Sequence, residues 1–316
     1  MMSRGAGRLL ISAGPGRQKG AALLIALMAA ALAMVIAVAM MERGQGNQAR
    51  TQALLASERS YQFAHGMELL AASLMERAER EGASAFLDGR WTPPFDVPGG
   101  MIQGRLLDQN ARFNLNALAH PDPELAALAL ERLERLLVHL GLNPLIAVEL
   151  ADWIEGATRP RPGSAGDSWY GAQQPPYRMA GTRLAHVSEL RWLRSVDGEA
   201  YARLAEFVTA LPEPDLLINI NTTSPVVLAS LIEGLDLDQA RRVLADGPFV
   251  SPAALVAHPV IAALARPGLE RHFSVSSPWY LAQARVVLDG VERDYFRLMR
   301  RGASGYDFRL YSQGTY

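Results

Sequence analysis

Near neutral pH, histidine is the side chain best able to do acid–base or metal chemistry. The chain has six, His65, His120, His139, His186, His258 and His272. No two are four residues apart, so no helix face presents the paired histidines of a zinc hydrolase. No serine lies in a Gly-x-Ser-x-Gly elbow. There is no cysteine, which excludes thiolate nucleophiles, thiolate-held metals and disulfides. Lys19 is the single lysine, so the body of the chain has no P-loop or Schiff-base lysine. The expectation is a protein that is not an enzyme. With 32 acids against 31 bases the net charge is −1, which gives no field for nucleic acid. A hydrophobic content of 49% excludes wholesale disorder.

The bases are unevenly placed at the start. Residues 1–20 hold Arg4, Arg8, Arg17 and Lys19 and no acid, and residues 21–41 then run uncharged as far as Glu42 and Arg43. About 20 apolar residues in a helix span a hydrocarbon core, whereas a secretory signal has an apolar run of about 7–15. The run therefore reads as a membrane-spanning helix with its basic end in the cytoplasm. Arg17-Gln18-Lys19-Gly20 meeting Ala21-Ala22-Leu23-Leu24 resembles the type III leader of type IV pilins and pseudopilins. The resemblance implies that a prepilin peptidase cuts between Gly20 and Ala21 and that the new amine is methylated. Losing four bases would take the net charge from −1 to −1 − 4 = −5. Most pilins carry glutamate at the fifth residue after the cut, an expensive charge inside a membrane unless paired. Here that residue is Ile25. The class that characteristically lacks the glutamate is the K class of type II secretion pseudopilins, the GspK family.

Beyond the membrane, Gly44-Gln45-Gly46-Asn47 is expected to loosen the helix, since glycine costs about 1 kcal/mol against alanine. Residues 48–81 resume a helical period, and Ala49, Ala53, Ala56 and Ala64 form a small-residue face on which partner helices could approach closely. Residues 82–100 form a Pro/Gly breaker region. Short strands are expected at 101–107 and 112–115 around a turn at Asp108-Gln109-Asn110. Helices follow at 125–140, 145–154, 187–193 and 198–211, with a Pro-, Gly- and Arg-rich loop at 156–183. The chain then repeats itself. Phe113-Asn114-Leu115-Asn116 is echoed by Ile218-Asn219-Ile220-Asn221, and Leu140-Gly141-Leu142-Asn143 by Glu233-Gly234-Leu235-Asp236. The spacing differs, so one copy carries an insertion. Two helices joined by a short Gly-Leu turn suggest a helix-hairpin-helix-like unit used twice, with asparagines suited to turns and caps. Residues 272–277, 281–288, 293–300 and 307–311 alternate like strands, and Asp289-Gly290 signals a hairpin. The expected fold class is α+β. A long N-terminal helix packs on a small antiparallel sheet of early and late strands, and a large helical domain is inserted in that sheet.

This order resembles the GspK arrangement, as do the blocks at 108–116, 149–155, 187–190, 218–222 and 273–277. The resemblance implies a leader at 1–20, a transmembrane half-helix at 21–43, a periplasmic helix and first strands at 44–116, an inserted α-domain at 117–271 and C-terminal strands at 272–316. It implies a single-pass inner-membrane protein with a periplasmic body, placed at the tip of the type II secretion pseudopilus. There it initiates or caps assembly and supports export of folded proteins across the outer membrane. The implied partners are the I- and J-class minor pseudopilins, then the H class, the major pseudopilin G and the prepilin peptidase. It also implies calcium, bound in the family by carboxylates after the Asp-Trp-Ile block; Asp152, Glu155 and Asp167 fall at matching positions. Calcium takes six to eight oxygen ligands. Ala157 and Gly166 stand where the family often has acids, and Arg159 and Arg161 lie nearby, so binding should be weakened or lost. The plain alternative is that Asp152 and Glu155 solvate a helix end. Two other readings stay open. One is a membrane-anchored helix-hairpin-helix protein gripping a DNA backbone near Arg241-Arg242, against which the charge balance speaks. The other is a signal-anchored periplasmic domain of different function.

Overall fold

Residues 18–81 contain no proline and are rich in alanine, leucine, methionine and glutamate, all good helix formers. In the computed structural model of the chain, which describes residues 18–81, 89–156, 158–302 and 305–314, they form one helix, α1 (Gln18–Glu81). Gly44 and Gly46 do not interrupt it, contrary to expectation. Their combined cost of about 2 kcal/mol is small against re-nucleating a helix that extends on both sides.

Contacts divide the chain into two units, Met1–Arg59 and Ser60–Tyr316. In the first, Leu23–Arg43 is a 21-residue stretch of mean hydropathy 2.8 with none of its length covered by protein. It is long and apolar enough to cross a membrane.

The second unit opens with the end of α1, then β1 (Phe95–Val97), β2 (Gly100–Asp108) and β3 (Phe113–Asn114). A helical region follows: α2 (Pro123–His139), α3 (Leu145–Glu155), α4 (Asp167–Tyr170) and α5 (Gly198–Ala205). Next come β4 (Val208–Thr209), β5 (Ile218–Asn219), α6 (Pro225–Leu231), α7 (Leu237–Ala245), α8 (Pro252–Val256) and α9 (Pro259–Ala262). The chain ends in β6 (Phe273–Ser274), β7 (Trp279–Leu288), β8 (Val291–Gly302) and β9 (Gly305–Gln313).

One antiparallel sheet has the order β1-β2-β7-β8-β9. The late strands pair with the early one as expected, from Gly100 opposite Leu288 to Asp108 opposite Tyr280. Asp289 and Gly290 join β7 to β8 with φ of 48° and 77°, the two left-handed residues of a type I′ hairpin. Alternate residues Tyr280, Ala282, Ala284 and Val286 are buried with Ile102 and Leu106, and Phe63, Ala71, Ala72 and Met75 of α1 pack against this face.

Four expectations fail locally. Residues 112–115 do not form a hairpin with β2, because β3 pairs in parallel with β4. The strand expected at 272–277 is two residues long and pairs in parallel with β5, outside the large sheet. The helix expected over 198–211 stops at Ala205, and residues 187–192 are a 3₁₀ segment. The two strand pairings rest on partners distant in sequence, which local periodicity does not report.

Candidate functional site

Helix α3 buries a row of acids. Glu149, Asp152 and Glu155 recur every three residues and so share one side of the helix. The side chains of Glu149 and Asp152 are wholly buried and that of Glu155 is half exposed. The loop over 156–183 reaches back onto this helix. Gly156 ends it with φ 61°, and a Cβ there would meet the Cα of Gly181 at 2.8 Å. The Gly181 N–H donates to the Trp153 carbonyl at 3.0 Å. Trp153, Tyr170, Tyr177 and Trp192 hold the loop with tilted and edge-on ring contacts at 5.1–6.3 Å.

This closure brings Arg161 to the acids. Its backbone N–H donates to Asp152 Oδ2 at 2.8 Å. Its guanidinium pairs with Asp152 Oδ1 and, at 2.7 Å, with Glu155 Oε1. The bond to Glu155 is the first cause of a guanidinium pKa held above its ordinary value. One turn earlier, Glu149 pairs with Arg194 at 2.7 Å and accepts the Ser195 N–H at 2.9 Å. A buried carboxylate persists only when so compensated. Asp167 is engaged elsewhere, accepting the Met179 N–H at 3.0 Å.

The structure thus joins Asp152 to Glu155 through an arginine and gives Asp167 a separate bond. Among the described residues no three carboxylate or imidazole groups converge as metal ligands. Gly166 caps α4 without a side chain to offer, and Ala157 lies outside the described residues. A cation needing six to eight oxygens is poorly served where a guanidinium already fills the gap, so these residues do not fit calcium. Glu149 and Arg194 escape the sequence reading. An acid three residues before Asp152 on an otherwise apolar helix was the signal available.

A second polar centre ties the helical region to the sheet. Asp108, Gln109 and Asn110, expected at a turn, are all three buried. Asp108 Oδ2 accepts from Asn219 at 3.0 Å, Thr222 at 2.5 Å and Ser277 at 2.6 Å, while Oδ1 accepts the Asn110 N–H at 2.8 Å. Burial pushes this carboxyl up, and the Ser277, Thr222, Asn110 and Asn219 bonds pull it down.

The internal repeat extends to individual bonds. Asn114 and Asn219 each accept the N–H two residues on, at 3.2 and 3.1 Å. Asn116 clasps the N–H and C=O of Leu184 at 2.8 and 2.9 Å, and Asn221 clasps those of Phe249 at 2.8 and 2.9 Å. Gly141 and Gly234, in the turns after α2 and before α7, both have positive φ. Arg241, the exposed base after the second turn, is paired with Asp238 at 2.6 Å.

Gly20 and Ala21 lie within α1, but their side chains, and residues 1–17, fall outside the described ones. So do the side chains of Ala49, Ala53, Ala56 and Ala64. On the same stretch Leu54 and Leu55 are exposed.

Two family models, both described as type II secretion system (T2SS) protein K, match residues 111–213 and 218–276. Each match spans one copy of the repeat. The type II secretion system protein K of Klebsiella pneumoniae is 34% identical over 307 residues, covering 90% of this chain and 93% of that one. The chain belongs to the type II secretion system protein K family. The protein K of Pseudomonas aeruginosa is 32% identical over 248 residues, 72% of each chain. Among solved structures, one chain of the GspK–GspI–GspJ complex from enterotoxigenic Escherichia coli matches with a TM-score of 0.73 at 25% identity, covering 84% of this chain and all of that one. As a protein K, the chain is a minor pseudopilin of type II secretion, and its apolar helix fits a membrane anchor.

Proposed function

We propose that this protein K stands at the tip of the pseudopilus, where it initiates or caps assembly with the I- and J-class minor pseudopilins and so supports export of folded proteins. The observation that carries this reading is its likeness, over 84% of its length, to a chain solved in a GspK–GspI–GspJ complex. A filament grows by head-to-tail, heterologous contacts, and a blocked face ends it. The helical region inserted between β2 and β7 is a poor platform for a further subunit. The H class, the major pseudopilin and the prepilin peptidase complete the partners in this reading. Its body lies in the periplasm and its N-terminus in the cytoplasm, as the basic leader favours. It acts by geometry and not by catalysis. The paired α2–α3 and α6–α7 turns act as helix-hairpin-helix-like units that hold the protein's own core. Arg161 supplies the positive charge that the family resemblance assigns to calcium.

Co-purification with the I- and J-class partners tests the assembly. The complex should form at micromolar concentration, and Ala53→Trp should weaken it by about 1–3 kcal/mol through overpacking of the helix face. A wild-type chain that stays alone with both partners at tens of micromolar would remove the tip assignment. Equal binding by the variant would instead move the interface to another face of α1.

A further inference from the structure

Arg132 lies in the middle of α2 and is only 2% exposed. Its Nε and Nη1 atoms are buried with no hydrogen-bond partner. The other long basic side chains around it are committed. Arg135 donates to the Ser230 carbonyl at 2.9 Å and lies 3.9 Å from Glu131, and Arg266 pairs with Glu233. A buried cation without an anion is among the costliest arrangements in a protein interior. Burial, first, and then the neighbouring Arg135 lower the Arg132 pKa to about 10, opposed by the Glu131 carboxylate, which still leaves Arg132 charged at neutral pH.

Arg132 is one of the residues that line a cavity of about 490 Å³ between α2, the end of α6 and the 3₁₀ segment Leu269–His272. Its walls are partly apolar, from Leu128, Leu231, Ile232, Leu264 and Leu269, and the lining also carries His272 and the charged side chains of Glu131, Glu233, Arg135 and Arg266. Glu131 and Glu233 are matched by Arg135 and Arg266, which leaves Arg132, among the described residues, as the lining arginine without an ion pair, and beside the apolar wall it suits a group that is both oily and singly negative. An arginine offers the planar fork that a carboxylate matches.

We propose that this cavity is a carboxylate-binding site, in which Arg132 takes the acid head and the leucines around it take an apolar body. Binding would supply the anion that the fold withholds from Arg132. The same anion would relieve His272. Burial, and then the charges of Arg132 and Arg271, hold that imidazole down at about 4, opposed by Glu270.

The experiment uses the full chain in lipid nanodiscs, with butyrate as probe, butyramide as its neutral isostere, and inorganic phosphate and chloride at matched ionic strength. Butyrate at several times its Kd should raise the melting temperature by about 2–4 °C. Butyramide, phosphate and chloride should do much less. In ¹³C-histidine spectra, with the resonance assigned by His272→Gln, butyrate should raise the His272 pKa. Arg132→Met should abolish both effects, and without butyrate it should melt no lower than wild type, because an apolar chain replaces an unpaired buried charge. Stabilisation by butyramide equal to that by butyrate, or a shift that survives in Arg132→Met, overturns the site. Stabilisation by phosphate equal to that by butyrate overturns the carboxylate assignment. Should Arg132→Met not fold, the wild-type titration decides: an unmoved His272 at saturating butyrate overturns the proposal.

Discussion

Burying a carboxylate removes it from water, and at Asp152 the compensation comes from Arg161, nine residues on, through a backbone N–H and a guanidinium together. If Arg161 stands in place of a metal, the wild-type chain should melt at the same temperature with calcium and with a chelator. A calcium-dependent rise would sink the reading. Arg161→Gln should lower stability by about 1–3 kcal/mol, below the full cost of breaking a buried pair because Arg161 is partly exposed; urea denaturation measures this. His272 makes a separate, pH-dependent contribution. Its folded pKa of about 4 lies below the ordinary 6.5, so the unfolded chain binds more protons between these values. The stability it contributes is complete above pH 6.5 and is lost as pH falls towards 4. Denaturation midpoints across that window should fall with pH, and His272→Gln should flatten the fall. An unchanged slope in the variant would show that other groups set it.

At the level of elements, the turn that closes α3 depends on backbone space rather than on side chains. Gly156 combines a left-handed φ with a 2.8 Å approach to Gly181. Gly156→Ala should therefore cost about 1–3 kcal/mol and loosen the loop that carries Arg161. Gly198 begins α5 in open space. Gly198→Ala there should be neutral or stabilise by up to about 1 kcal/mol, through the unfolded chain. A Gly156→Ala chain as stable as wild type in urea would show that the 156–183 loop is not held through this contact. The elements read well from sequence were those with their own local logic: α2 and α3 by their apolar period, and the β7–β8 hairpin by Asp289-Gly290. The two-residue parallel pairs β3–β4 and β5–β6 were not legible as such. Each is defined by a partner more than fifty residues away.

For the whole molecule, the membrane-facing end is the part most open to test. The resemblance of residues 17–24 to a type III leader implies a cut at Gly20–Ala21. Mass spectrometry of the protein from its native membrane should find an N-terminus at Ala21, with a methylated amine. Intact Met1, or a cut beyond Ala39, would point to a simple anchor or a cleaved secretory signal. Assembly into a tip would then need another explanation.

The sequence by itself determined what depends on composition and short-range pattern. The apolar stretch before Glu42 is long enough to cross a membrane. The alternation along residues 281–288 required a strand, and the doubled Asn-x-Asn motif announced two related units. Tertiary structure decided what depends on who meets whom. Asp108 and Ser277, 169 residues apart, share a hydrogen bond of 2.6 Å, and nothing near either residue says so. Arg161, noted from sequence only as a nearby cation, became the partner of Asp152 because the loop closes through Gly156 and Gly181. Nothing in the amphipathic pattern of residues 125–140 singles out Arg132, and the packing of other segments onto α2 buries it. The reason is common to all three. Burial and charge compensation are properties of a closed three-dimensional neighbourhood, and periodicity records only the helix or strand a residue belongs to.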